Sequence, residues 1–70
     1  MNKADEVKRI DRERVEVRLS HAKLCERANV DTSTWWRNRN FPETITLETI
    51  DKLEGAIRSK RAETAEVVKA

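Results

Sequence analysis

Seventy residues, 40% of them charged and 37% hydrophobic, allow one small domain over residues 1–70, with a core worth only a few kcal/mol net. One Gly, one Pro and no Tyr argue against a turn-rich all-β fold. A single Cys excludes an internal disulfide framework, and no apolar run is long enough for a membrane span or a signal-peptide core, so no membrane contact and a cytoplasmic location are expected.

The net charge of +2 says less than its distribution. Residues 1–20 carry six basic and five acidic groups, residues 21–42 four and two, residues 43–57 one and four, and residues 58–70 four and two. The middle of the chain is mildly basic and the segment after it acidic, a weak electrostatic footprint for a polyanion.

In chain order, Met1 to about Asp5 is expected to fray, and Ala4–Arg18 reads as a helix with Val7, Ile10, Arg14 and Val17 on one stripe. Arg14 in that stripe has two readings. Either its methylenes lie on the core edge with the head in water, or a partly buried guanidinium pairs with a carboxylate and braces the domain. Ser20 can cap a second helix, about His21–Ala28, in which Leu24 and Ala28 share a face beside Cys25, read as a small buried hydrophobe. A lone Cys25–His21 pair is too few ligands for a structural zinc site. His21 reads as a first-turn residue, a phosphate contact or a plain surface side chain.

Asn29 suits the left-handed conformation that ends a helix, and Val30 can plug the turn. Asp31 can cap a third helix, Thr32 to about Asn38, with Trp35 facing inward. Trp36, about 100° further round, either packs across the mouth of the domain or faces a ligand. Arg37 and Arg39 are expected to project outward on the side of Thr32 and Ser33. A capped helix, an Asn turn and a second capped helix, about residues 20–41, fit the helix-turn-helix unit. Pro42 forces a turn at Phe41, which is expected to tuck into the core, and residues 42–45 form a loop. Thr46 can cap a fourth helix with Leu47, Ile50, Leu53 and Ile57 on one face. Gly55 there costs about 1 kcal/mol and suggests a close neighbouring helix. Residues 58–70, with a weak Ala62, Ala65, Val68 stripe, extend that helix to about Val67, form a dimerisation helix, or fray.

The stretch LSHAKLCERANVDTSTWWRNRNF resembles the helix-turn-helix of the lambda-repressor-like family, which includes phage Cro and repressor proteins and small bacterial regulators. Leu19-Ser20, Leu24, Val30, Ser33-Thr34 and Trp35 match its pattern. Ile10, Arg14 and Val17 match its preceding helix, and TLETIDKLEGAI its closing helix, so the likeness covers about residues 7–57. His21 replaces the usual Gln, Cys25 the usual Ala, Asn29 the usual turn Gly, and Asn38 a usual apolar residue. Arg39 stands where a Glu often pairs with the arginine corresponding to Arg14. The resemblance implies that Thr32, Ser33, Trp36 and Arg37 face bases and that His21, Arg39 and Asn40 lie near phosphates. An Arg37–guanine pair would suit the major groove, and free N–H groups at the start of the His21 helix would suit a phosphate.

These readings lead to an all-α, four- or five-helix domain that binds double-stranded DNA as a transcription regulator of bacterial or phage type. The expected form is a homodimer on a pseudo-palindromic site with half-sites about 34 Å apart. With no effector domain expected, it would act by occupancy or by contact with RNA polymerase or another protein. No cofactor, metal or enzymatic activity is expected, because no paired-carboxylate cleft, glycine-rich phosphate loop or triad is visible. The rival readings are a protein-interaction module such as an antitoxin, and a phage DNA-architecture or recombination accessory factor.

Overall fold

Four α-helices and one 3₁₀ turn follow each other along the chain: α1 Lys3–Glu16, α2 His21–Ala28, α3 Thr32–Asn40, the turn Pro42–Thr44, and α4 Leu47–Lys69. The computed structural model describes residues 2–69, with side chains through residue 65. Among the described residues there is no strand, so the all-α class read from the sequence holds.

The N-terminal end departs from the expected fraying. The Asn2 side chain accepts a hydrogen bond from the Asp5 N–H, and Asp5 and Glu6 place negative charge in the first turn. Both features stabilise a helix start, so α1 begins at Lys3. Met1 itself lies outside the described residues. The other end of α1 also departs, stopping at Glu16 instead of running to Arg18. Arg18 takes φ 61°, and the Arg18 and Leu19 N–H groups bond to the Val15 and Arg14 carbonyls. This is a Schellman stop with an arginine in the position that usually takes Gly, so the sequence carries no signal for it. Arg14 secures the corner. Its side chain is 14% exposed, its Nε donates to Asp11 at 2.8 Å, and its NH1 donates to the Leu19 carbonyl at 2.8 Å. The carboxylate-paired reading of Arg14 therefore describes the structure.

The core is drawn from every helix: Val7 and Ile10 from α1, Leu24, Cys25 and Ala28 from α2, Trp35 from α3, and Ile50, Leu53, Ala56 and Ile57 from α4. Leu19 and Ile45 complete it from the connecting segments. Helix α4 lies across α1 and α2, and the 3₁₀ turn packs on α1 and α3. Thr46 caps α4 by accepting from the Thr49 N–H at 3.1 Å.

Two expected core residues are outside. Phe41 is 51% exposed and Leu47 is 62% exposed. At Phe41 the backbone decides the matter. Its N–H bonds to the Arg37 carbonyl, while its carbonyl accepts from the Thr44 N–H and hydroxyl, and this holds the α3 stop with the ring outward. Ile45, fully buried, fills the core from that corner instead.

Charged side chains tie the helices together at the rim. Arg9 of α1 bonds Glu6, Glu13 and Glu54 of α4, and Arg27 of α2 bonds Glu63 and Ser59 of α4. Past Ile57 no described side chain of α4 is buried, and Ala62 and Ala65 are exposed. Val67 and Val68 lie outside the described side chains. The helix itself continues to Lys69, so the extension reading of residues 58–70 fits the backbone.

Gly55 is not at a close helix contact, since an added Cβ would meet nothing within 4 Å. Without that constraint, glycine in mid-helix only loses entropy on folding. Gly55→Ala is expected to stabilise the fold by about 0.5–1 kcal/mol and to raise Tm by roughly 2–8 °C in a thermal melt. An unchanged or lower Tm would contradict open space at this position.

Candidate nucleic-acid interface

The α2–turn–α3 unit forms for local reasons. Ser20 caps α2 by accepting from the Lys23 N–H at 3.0 Å. Asn29 ends the helix at φ 56°, and the Val30 N–H returns to the Cys25 carbonyl at 2.9 Å. Val30 packs partly buried against the core. The Asp31 carboxylate accepts from the Ser33 N–H at 2.8 Å and from the Ser33 hydroxyl at 2.6 Å. Those two bonds, the hydroxyl one first, hold the Asp31 carboxyl below its ordinary range, so the cap is ionised at neutral pH. All three of these cap and turn assignments agree with the sequence reading.

Trp35, completely buried, fixes which face of α3 turns outward. The exposed side chains are Thr32, Ser33, Trp36, Arg37 and Asn40. They run in rows four residues apart, 32–36–40 and 33–37, and so cover one continuous face. Trp36 is 55% exposed and does not close the mouth of the domain. Ser33 spends its hydroxyl proton on Asp31, which leaves its oxygen lone pairs free to accept. Asn40 donates its side-chain amide to the Trp36 carbonyl at 2.8 Å, leaving its side-chain oxygen available.

Arg39 is placed differently from its sequence reading, while His21 stands in the first turn of α2 as expected. Arg39 does not project outward. Its guanidinium carbon sits 5.7 Å from the Trp35 ring centroid, its Nε is buried without a partner, and its NH1 lies 3.3 Å from His21 Nε2. His21 is half-buried, and its Nδ1 accepts from the Trp35 indole N–H at 3.0 Å. Trp35 thus draws together two residues eighteen positions apart. The physical cause is the indole: it is buried whole, it must place its N–H, and its face attracts a cation. Positions 35 and 39 are neighbours four apart on α3, but no signal in the sequence joins position 21 to them.

Asn38 is buried as expected for a core position, and its side-chain amide donates to the Thr44 hydroxyl at 3.1 Å. Its Oδ1 has no partner, and Phe41 does not fill the space beside it.

The remaining chemistry is sparse. Cys25 is buried, and burial raises its thiol above the ordinary value, which disfavours the nucleophilic thiolate. Among the described residues, no three His, Cys, Asp or Glu side chains converge as metal ligands. None of the described helices is long and apolar enough to cross a membrane. An open cleft between the α1–α2 corner and α4 is lined by Arg18, Leu19, Lys23, Glu26, Arg27 and Lys60, a surface of charged side chains over one leucine.

No protein-family model, curated protein or solved structure matches this chain.

Proposed function

We propose that the chain is a sequence-specific, double-stranded-DNA-binding transcription regulator of bacterial or phage type. In this reading α2 and α3 form a lambda-repressor-like helix-turn-helix, and α3 enters the major groove. The observation that carries it is the continuous exposed face of Thr32, Ser33, Trp36, Arg37 and Asn40 on a helix anchored from behind by Trp35. That face combines hydroxyls, an indole, an amide and a guanidinium, the groups that read base edges and thymine methyls. A 9-residue α3 is long enough to present these groups along a groove about 12 Å wide.

The local charge is modest, and one chain supplies few phosphate contacts. Two chains on a pseudo-palindrome, with half-sites about 34 Å apart, would double them. Regulation would follow from occupancy of the site or from contact with RNA polymerase.

The test is selection from a random duplex pool at near-physiological salt, with the protein's mass in solution measured alongside. Recovery of a short inverted repeat by a dimer, with affinity falling steeply as salt rises, is the expected result. Failure to enrich any motif would overturn the reading.

A further inference from the structure

The cluster of His21, Trp35 and Arg39 contains more donors than acceptors. A neutral imidazole has one donor and one acceptor nitrogen. Trp35 Nε1–H is only a donor and belongs to a residue with no exposed surface, so it takes the acceptor, His21 Nδ1, at 3.0 Å. The proton of His21 is then on Nε2. Arg39 NH1, also only a donor, stands 3.3 Å from that nitrogen. The opposite tautomer would let Arg39 donate to Nε2 but would set two N–H groups against each other at the wholly buried indole, a costlier arrangement. Arg39 Nε is buried with no acceptor either. Two donors therefore converge, and neither satisfies the other.

We propose that His21 and Arg39 form an oxyanion site in which His21 acts as a neutral donor, its Nε2–H and the Arg39 guanidinium converging on one oxygen of a phosphate group. Trp35 is a positioning residue that fixes the tautomer. Under the DNA-binding reading, on which the choice of ligand rests, the oxyanion is a backbone phosphodiester; the same chemistry would accept a free phosphate or sulfate.

The neutral form is essential to this arrangement. Protonating Nδ1 would strip the indole of its acceptor. The charges that act on the ring are Arg39 from α3 and Arg14 and Asp11 from α1. Burial first, then Arg14 and Arg39, hold the imidazole below its ordinary 6.5, with Asp11 opposing. The site is thus open at neutral pH and lost on acidification, the reverse of a site in which imidazolium binds phosphate as a cation. The linked stability has the same sign. It is fully present above pH 6.5 and falls as the pH drops below that value, because the unfolded chain takes up the proton first.

The test uses sulfate, an oxyanion whose charge is constant from pH 5 to 8. It would replace chloride at fixed ionic strength while the His21 and Arg39 side-chain nitrogens are followed by NMR. At pH 7.5 the expected result is a saturable shift of His21 Nε2 and Arg39 Nε, lost in Arg39→Gln and in His21→Ala. His21→Gln retains the response, since an amide offers an oxygen to Trp35 and an N–H to the anion. Acidification abolishes the response of the parent chain but not that of His21→Gln. The Trp35 indole signal reports that each variant is folded. A response that grows as pH falls, one that survives Arg39→Gln, or no saturable response would overturn the site. A duplex from the selection above is the second arm. Binding of DNA with His21 and Arg39 signals unmoved would overturn this site and leave the regulator reading standing. A sulfate response without any DNA binding would support the oxyanion site and overturn the regulator reading.

Discussion

Trp35→Ala is expected to destabilise the domain by about 3–5 kcal/mol, the cost of truncating a fully buried large aromatic. A core of this size supplies only about 3–5 kcal/mol net, so the variant should retain little or no net stability, with a large fraction of its molecules unfolded at room temperature. The loss has three parts. The indole leaves a cavity in a core to which it is the only hydrophobic contribution of α3, His21 Nδ1 loses its donor, and Arg39 loses the ring it lies on. Trp35→Phe, which keeps one aromatic ring but removes the pyrrole half with its N–H, should cost less than Trp35→Ala. Trp36→Ala is the control, since that indole is 55% exposed and should shift stability by no more than about 0.5 kcal/mol. Urea unfolding followed by far-UV circular dichroism measures all three. Equal effects at Trp35 and Trp36 would mean that α3 is rotated about its axis relative to the packing described above.

Arg37→Ala is expected to weaken binding to the selected DNA by about 1–3 kcal/mol, roughly tenfold to more than a hundredfold, with stability changed by less than about 0.5 kcal/mol. The separation of the two effects follows from position. Arg37 is exposed on the outer face of α3, about 200° round the helix from the buried Trp35. A bidentate guanidinium contact to one guanine predicts a further signature. The loss should be largest for the parent site and smallest for a site mutated at that base pair, and binding to unrelated DNA should change little. A uniform loss across all sequences would assign Arg37 to the backbone instead. Undiminished specific binding would remove α3 from the proposed groove contact.

Much of the architecture was legible because it depends on local chemistry. Ser20, Asp31 and Thr46 are side chains that cap helices, Asn29 is a residue that tolerates positive φ, and Pro42 stops a helix whatever surrounds it. Those signals placed α2 at His21–Ala28 and gave the starts of α3 and α4. The inward faces of α1, α2 and α4 followed from helical periodicity, and Trp35 from its place beside Val30 and Leu24. Thr32, Ser33 and Arg37 followed outward from the same rotation, which left the side of Trp36 open and did not foresee Arg39 lying on Trp35.

What the sequence could not determine is how polar groups from separate elements share one another, and which apolar residues lose the competition for a finite interior. Arg18 ends α1 in a left-handed conformation because Leu19 must turn into the core, not because arginine favours that backbone. Ile45 is inside and Phe41 and Leu47 are outside because the α3 stop orients that corner. Arg14 pairs with Asp11 one turn back in its own helix, but it reaches the Leu19 carbonyl across a bend that exists only once α1 has stopped. The His21–Trp35–Arg39 cluster belongs to the same class. Trp35 and Arg39 are neighbours four apart on α3, and only the packing of α3 against α2 brings the His21 imidazole within reach of the buried indole N–H and the guanidinium. Caps and periodicity are properties of neighbouring residues, so the chain alone determined the helices. The pairing of donors with acceptors is a property of three-dimensional distance, so tertiary structure alone decided it.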